Sequence, residues 1–545
     1  VPNLNTRFKA FYASALFLAL GCALIPFAGV QNDEALFGNP LYLFNPKELS
    51  IIVFHQHVPL MVMSYVGTLK TWIYSVIFHF VSVNVWTVRL PMVFAGALTV
   101  LIFYRFTARA AGPAAALIAA FLLATDPSFL LTNTFDWGPV AIGHLLLVTA
   151  CFFLLRFQQR EYRMQDLAFG FFFLGLGLWN KALMLWAIAG LTVAVLLVFR
   201  KEILFLAGIS MKRRAVLPPV SPPARGKVFV IGIAAFLLGA LPFVLFNLRH
   251  PNATLGSNAH IETAPAKAVI ENKLEMVRGA LNGSGLFGFI PAPDWIDRVH
   301  PPATRRGRVA QWIRDRVGER QSTGFEYVFL LTVAAVPLWW RIRAAQFALV
   351  FIVVTWLAMA VTRDAGGAIH HAVLLWPFPQ FFVALVLASI PWRKAGWAIG
   401  FTLVALNLLV VNEYVREFDQ NGANGNFSDA LFPLSDAIPE NGHPVYVVDW
   451  GMANTIALFH QGRITVRPVD SLFMTDSVTE NQRAIIQVVL GDPDAIFVGH
   501  VPGREVMDTR ANLDRAALSL HRHKETIRIV TDSNGRPVFE IFRWL

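Results

Sequence analysis

The run AFYASALFLALGCALIPFAG, residues 10–29, is followed at once by Gln31-Asn-Asp-Glu-Ala-Leu-Phe-Gly-Asn-Pro40. A helix needs about 20 apolar residues to cross a bilayer. The run therefore reads as a span, with two adjacent carboxylates, Asp33 and Glu34, at its far end. Arg7 and Lys9 ahead of it suggest a secretory leader. The run is longer than a leader's core and has no clear small-residue cleavage pattern, so a retained anchor is expected.

Composition carries this reading to the whole chain. Of 545 residues, 55% are hydrophobic and 15% charged, with 46 Phe and 15 Trp. Soluble domains carry roughly 25% charged residues, and the mean hydropathy here is +0.52. The net charge of +11 could suggest nucleic acid, but the basic residues form short clusters between apolar runs. That pattern suits cytoplasmic loops, and no nucleic-acid partner is expected. Cys22 and Cys151 lie inside apolar runs, which leaves no disulfide framework and no cysteine metal site.

Apolar runs recur near 10–29, 90–107, 113–131, 137–157, 165–179, 181–200, 227–247, 326–340, 345–362, 372–391 and 395–412, giving about eleven transmembrane helices. With the N-terminus cytoplasmic, each expected inner segment is basic: Arg105/Arg109, Arg156/Arg160/Arg163, Arg200 to Lys227, Arg341/Arg343 and Arg393/Lys394. Outside then lie loops 30–88 and 248–325, the turns at 132–136 and 363–371, and everything after 412. Met211–Lys227, rich in Pro and Arg, reads as a flexible linker. Val58–Phe80, rich in Trp and Tyr, reads as an interfacial segment. The predicted architecture is a polytopic α-helical membrane domain, 1–412, and a C-terminal extracytoplasmic α/β domain, 413–545. In the latter, strands are expected at 445–448, 495–498, 527–530 and 538–541, and helices at 477–490 and 509–520.

The outer face gathers the residues able to do chemistry. Asp33 and Glu34, at the C-terminal end of a span, gain nothing from its dipole. Such carboxylates can take a proton from an attacking hydroxyl or hold a divalent cation. Asp136, in Phe135-Asp-Trp-Gly-Pro139, is a second acid on that side, and membrane-edge acids default to a functional reading. Asp126, a little deeper, either joins them or caps the break at Pro127. His55 and His57 could share a metal from an extended segment, or lie as interfacial imidazoles. Lys181, in Leu178-Trp-Asn-Lys-Ala182, is an unexpected outer lysine that either meets a phosphate or snorkels. Arg89, Arg363, His370 and His371 are further outer basic groups at span ends, fit for a lipid phosphate or for headgroups.

The order Asp33-Glu34-Ala, His57-Val-Pro-Leu60, Arg89-Leu-Pro91, Asp136-Trp-Gly-Pro, Gly175-Leu-Gly-Leu-Trp-Asn-Lys181 and His371-Ala-Val-Leu-Leu-Trp-Pro377 resembles the GT-C membrane glycosyltransferases. The resemblance covers roughly 5–412. It is strongest to the bacterial branch grouped with protein O-mannosyltransferases and the lipid A aminoarabinose transferase. It implies a polyprenyl-phosphate sugar as donor and transfer at the extracytoplasmic face of a bacterial inner membrane. It also implies Asp33 as base with Glu34 beside it, Asp136 as the second acid, and Lys181 near the donor phosphate. The family's Pro-Pro-Leu is Val58-Pro59-Leu60 here, and its late Arg-Tyr is His370-His371. Some members hold a divalent metal and others need none, so a metal on Glu34, Asp136, His55 or His57 stays open. The acceptor is a hydroxyl on a protein, glycolipid or polysaccharide. A transporter or flippase of a lipid-linked substrate, or an inactive envelope scaffold, would use the same outer charges for binding alone.

Overall fold

The structure, a computed structural model, describes residues 4–42, 50–160, 162–206, 225–258, 260–293, 300–363, 367–474 and 479–545. Most of the expected linker Met211–Lys227 lies outside them.

All eleven apolar runs are helical, but they are not eleven equal spans. Five single helices are long and apolar enough to cross a bilayer: Ala10–Phe27, Val85–Ala111, Val140–Gln159, Arg343–Ala360 and Arg393–Asn421. Three more are pairs bent at a break: Pro113–Thr125 with Pro127–Thr134 by 56°, Gly226–Gly239 with Leu241–Arg249 by 71°, and Ile369–Leu375 with Phe378–Ser389 by 44°. Among the described residues, length and composition thus support up to eight spans. The expected runs at 165–179, 181–200 and 326–340 are the shorter helices Met164–Asn180, Met184–Val198 and Phe325–Ala334.

The first break has a local cause. Pro127 cannot donate a helical N–H, and the Asp126 carboxylate caps the second half by accepting from Phe129 N at 2.8 Å. Gln380 Nε2 donates to its other oxygen at 2.8 Å, so Asp126 serves the break.

Met164–Asn180 packs against Val140–Gln159 on one side and Arg225–Gly239 on the other. The second crossing depends on small residues. A Cβ at Gly175 would lie 2.1 Å from Phe236 O, and one at Gly239 would lie 2.2 Å from Phe172 O. Glycine alone allows backbones this close.

The change in composition at 412 does not end the last long helix, which runs to Asn421. Its polar end is buried because its charges are satisfied internally. Arg416 Nε lies 2.7 Å from Glu413 Oε1, and Asp419 accepts from Ala303 N at 2.8 Å. Beyond it stands a five-stranded sheet in the order Val466–Pro468, Val445–Val447, Ile496–His500, Pro537–Trp544, Lys524–Thr531. The first three strands are parallel and the last two join antiparallel.

This C-terminal part docks on the stretch that carries the acidic pair. Gly29 N donates to Phe427 O at 2.8 Å. Asn454 N donates to Asn32 Oδ1 at 3.0 Å, and Asn39 Nδ2 donates to Asn454 Oδ1 at 2.9 Å.

Candidate active site

Asp33 and Glu34 do not end the first span, as the sequence suggested. The chain breaks after Phe27 and opens a new turn of helix, Asn32–Ala35. Gln31 caps this turn: its side chain accepts from Asp33 N at 2.6 Å and Glu34 N at 3.2 Å. Glu34 answers by accepting from Gln31 N at 3.3 Å, which completes a capping box. Both acids therefore sit in a first turn, where a carboxylate is favoured.

The two differ in everything else. Glu34 is buried and meets Arg89 through two bonds, Nε to Oε1 at 2.8 Å and Nη2 to Oε2 at 2.9 Å. Arg89 also donates to Ile25 O, Ala28 O and Gly29 O at 2.6–2.7 Å. A guanidinium has five N–H donors, and all five are used. Arg89 stitches the end of the first span to the start of Val85–Ala111, and no N–H remains for a substrate phosphate.

Asp136 is likewise committed. Lys70, fully buried in the helix Leu69–Phe80, reaches Asp136 Oδ2 at 3.0 Å and Asp136 O at 2.6 Å. The other carboxylate oxygen accepts from Val140 N at 2.6 Å and Ala141 N at 3.1 Å, holding the start of the next helix. Lys70 was not singled out from sequence. A lysine in the otherwise apolar stretch Val58–Phe80 was the available signal, since a buried ammonium needs an acid and Asp136 was the one at hand.

Asp33 and Lys181 are the pair left open. Each is half-buried, and neither makes an ion pair within 4 Å among the described residues. Burial pushes the Asp33 carboxyl above its ordinary range, against the Asn32 hydrogen bond and the Lys181 charge, which pull it down. Burial pushes the Lys181 ammonium down to about 8, against the raising pull of Asp136 and Asp33.

A hairpin from the first loop fixes the lysine's turn. Val66 pairs with Lys181 as an antiparallel bridge, Ala182 N donates to Tyr65 O at 2.9 Å, and Trp179 Nε1 donates to Leu60 O at 2.8 Å. The hairpin also brings in Tyr65, whose phenol is raised by burial and by the Asp33 charge. Tyr65 is a second residue that sequence reading missed.

Lys181 Nζ lies 3.4 Å from Gly138 O. Beneath it is a cavity of about 40 Å³ lined by Gly138, His144, Asn180, Lys181, His370 and His371. A Cβ at Gly138 would lie 3.0 Å from His370 Cδ2 and 3.4 Å from Lys181 Nζ. This lining offers one ammonium, three imidazoles and an amide, and no carboxylate, so it suits an anion. A larger apolar cavity of about 430 Å³ lies toward the other ends of the same helices, lined by Cys151, Leu154, Leu174, Leu191 and Phe347 among others.

The remaining sequence candidates stand elsewhere. His55 lies at the turn, with φ +64°, and His57 on the second strand of an exposed hairpin, Ser50–Val53 with Gln56–Pro59. Ser50 Oγ lies 3.3 Å from His57 Nδ1. Arg363 is exposed, its N–H bonded to His260 O at 2.8 Å. None of the three lines the small cavity.

The proposed metal ligands Glu34, Asp136, His55 and His57 do not converge. Two are carboxylates already bonded to Arg89 and Lys70, and Asp33 faces a lysine rather than further acids. These residues do not fit a divalent cation. Among the described residues, three metal-capable groups come within 4.8 Å only at His443, Asp492 and Asp494, in the C-terminal part.

Residues 67–222 match the model of the dolichyl-phosphate-mannose-protein mannosyltransferase family. That stretch takes in Lys70, Arg89, Asp136 and Lys181 and begins after Asp33. No curated protein sequence matches the chain. Among solved structures, ArnT from Cupriavidus metallidurans in the apo state aligns over 97% of this chain and 97% of its own, with TM-score 0.56 at 12% identity. ArnT bound to undecaprenyl phosphate aligns over 98% of this chain and 97% of its own, at TM-score 0.47 and 13% identity. The apo oligosaccharyltransferase of Archaeoglobus fulgidus aligns over 90% of this chain and 69% of its own, at TM-score 0.45 and 14% identity. By a local sequence match and by a fold shared along nearly its whole length, the chain resembles the GT-C membrane glycosyltransferases.

Proposed function

We propose that this chain is a multi-pass membrane glycosyltransferase that moves a sugar from a polyprenyl-phosphate donor to a hydroxyl acceptor in one inverting displacement. The observation that carries the reading is the open pair: a half-buried carboxylate, Asp33, faces a half-buried ammonium, Lys181, while neighbouring acids and bases are closed on one another. The description of the matched family, which names dolichyl-phosphate-mannose, supports a lipid phosphate as donor class.

In the step itself, the acceptor oxygen bonds to the anomeric carbon as the carbon–oxygen bond to phosphate breaks. Asp33 takes the acceptor's proton. The polyprenyl phosphate leaves with the electron pair, its charge offset by Lys181 and by N–H groups of the His370–His371 turn. A raised Asp33 is a stronger base, and a Lys181 near 8 is still charged at neutral pH. One base suffices for inversion, and no step runs through a metal.

The Lys/Arg bias supports an extracytoplasmic position for this pair and for the C-terminal part, and the resemblance to the bacterial branch supports an inner-membrane setting. The acceptor is a protein, glycolipid or polysaccharide hydroxyl. A panel of labelled polyprenyl-phosphate sugars, offered to membranes containing the chain, tests the reading. Label arriving on a water-soluble or glycolipid acceptor supports a transferase. Label that crosses the bilayer still bound to its lipid supports a flippase instead.

A further inference from the structure

We propose that Trp137 is a positioning residue that locks His370 as the neutral tautomer protonated on Nε2, so that an uncharged N–H stands beside the Lys181 ammonium at the phosphate site. The inference rests on the proposed function, since it takes this cavity as the seat of the donor phosphate.

The geometry of one hydrogen bond carries it. Trp137 Nε1 lies 3.1 Å from His370 Nδ1. An indole N–H can only donate, so Nδ1 must present its lone pair, and the ring's proton is on Nε2. Protonation of Nδ1 would break this bond. Ring packing supports the placement, with centroids 5.4 Å apart at 63°. Trp137 is itself held by Phe289 and Phe427, with centroids at 5.8 Å and 5.4 Å.

The other nitrogen is available. Among the described residues His370 Nε2 has no hydrogen-bond partner, and it is not sealed from solvent. His370 Cδ2, the atom next to Nε2, approaches Gly138 on the side where Lys181 Nζ also stands. The titratable groups facing the ring are His371, with ring centroids 4.2 Å apart, and Lys181. His144, on the same cavity, has its own Nε2 committed to Val373 O at 2.7 Å.

A neutral N–H donor suits a site that must bind a phosphate and then release it. It adds a directed hydrogen bond without a second fixed charge and without needing an acidic medium. The sequence alone, with His370-His371 where the family has Arg-Tyr, left this ligand in doubt.

The test compares binding of a polyprenyl phosphate by wild type, W137F, H370Q and H370N in detergent. Gln places its amide N–H2 near the Nε2 position of histidine, and Asn places it near Nδ1. We expect H370Q to keep affinity within about twofold of wild type and H370N to lose about fivefold or more, the size expected for one hydrogen bond.

In W137F both tautomers are populated, so the wild-type to W137F affinity ratio exceeds one at pH 7.5. Equal losses in H370Q and H370N, or W137F binding polyprenyl phosphate as tightly as wild type, would overturn the tautomer lock. Failure of wild type to bind polyprenyl phosphate at all would overturn the phosphate reading beneath it.

Discussion

Glu34 with Arg89 and Asp136 with Lys70 make a contrast with Asp33 and Lys181, their neighbours in sequence or in space. In the first two pairs acid and base are bonded to each other and to neighbouring backbone from within the chain. In the third, a carboxylate and an ammonium are partly desolvated and left apart. An ionic group in an apolar setting is costly. Where its valences are filled it fastens helices together, and where they are not it is left able to take a ligand. Residue type alone does not separate these cases, since both classes use acids and bases at span ends.

The contrast breaks first at Arg89. Removing it leaves the buried Glu34 without its counter-charge and three carbonyls without this donor, so R89A should destabilise the folded protein by about 3–5 kcal/mol. Thermal unfolding in detergent reads this directly. Stability close to wild type would make Arg89 a ligand group after all. The Lys70–Asp136 pair gives a sharper form. K70M should cost almost as much, because Asp136 is then left buried and charged. K70M combined with D136N should recover part of the loss, a coupling of about 1–3 kcal/mol in a double-mutant cycle. Additive losses would mean that the two groups do not act as a pair.

On the open side, the effects should appear in rate rather than in stability. Lys181 carries its charge below about 8 and loses it as pH rises through that value. Transfer should therefore fall on the alkaline side with a midpoint near 8, and K181M should raise the donor KM and remove this limb. An alkaline limb unchanged in K181M would assign it to another group. The smallest effect is expected at Gly138, where an added methyl group would crowd His370 and Lys181. G138A should raise the donor KM by up to about tenfold, equivalent to ~1.4 kcal/mol, with unfolding little changed.

Much of this was legible in the chain itself. The apolar runs mark the helices because burial in an apolar medium imposes a composition as well as a period. Four strands of the C-terminal sheet lie where short apolar runs expected them, near 445–448, 495–498, 527–530 and 538–541. The strand Val466–Pro468 was missed: it is three residues long and ends in proline.

About eleven spans were expected where length and composition support up to eight among the described residues, because the runs at 165–179, 181–200 and 326–340 fold as shorter helices. The edge placed at 412 came from counting charges in a helix whose charges are paired internally. Asp33 and Lys181 were recognisable by residue type and position. Tyr65 and Trp137 were not, because their partners lie tens or hundreds of residues away and leave no period to read. The one wrong argument about Asp33 and Glu34, that a helix ends there, failed because Gln31 starts another.

The central claim is that Asp33 is the base of a sugar transfer, and D33N tests it most directly. Transfer from a labelled polyprenyl-phosphate sugar should be measured in membranes containing wild type or D33N, with thermal unfolding of both in parallel. The account predicts active wild type and a loss of about 10²–10⁴-fold in D33N, with unfolding shifted by no more than about 0.5 kcal/mol. A D33N protein that folds and still transfers sugar at the wild-type rate would contradict it.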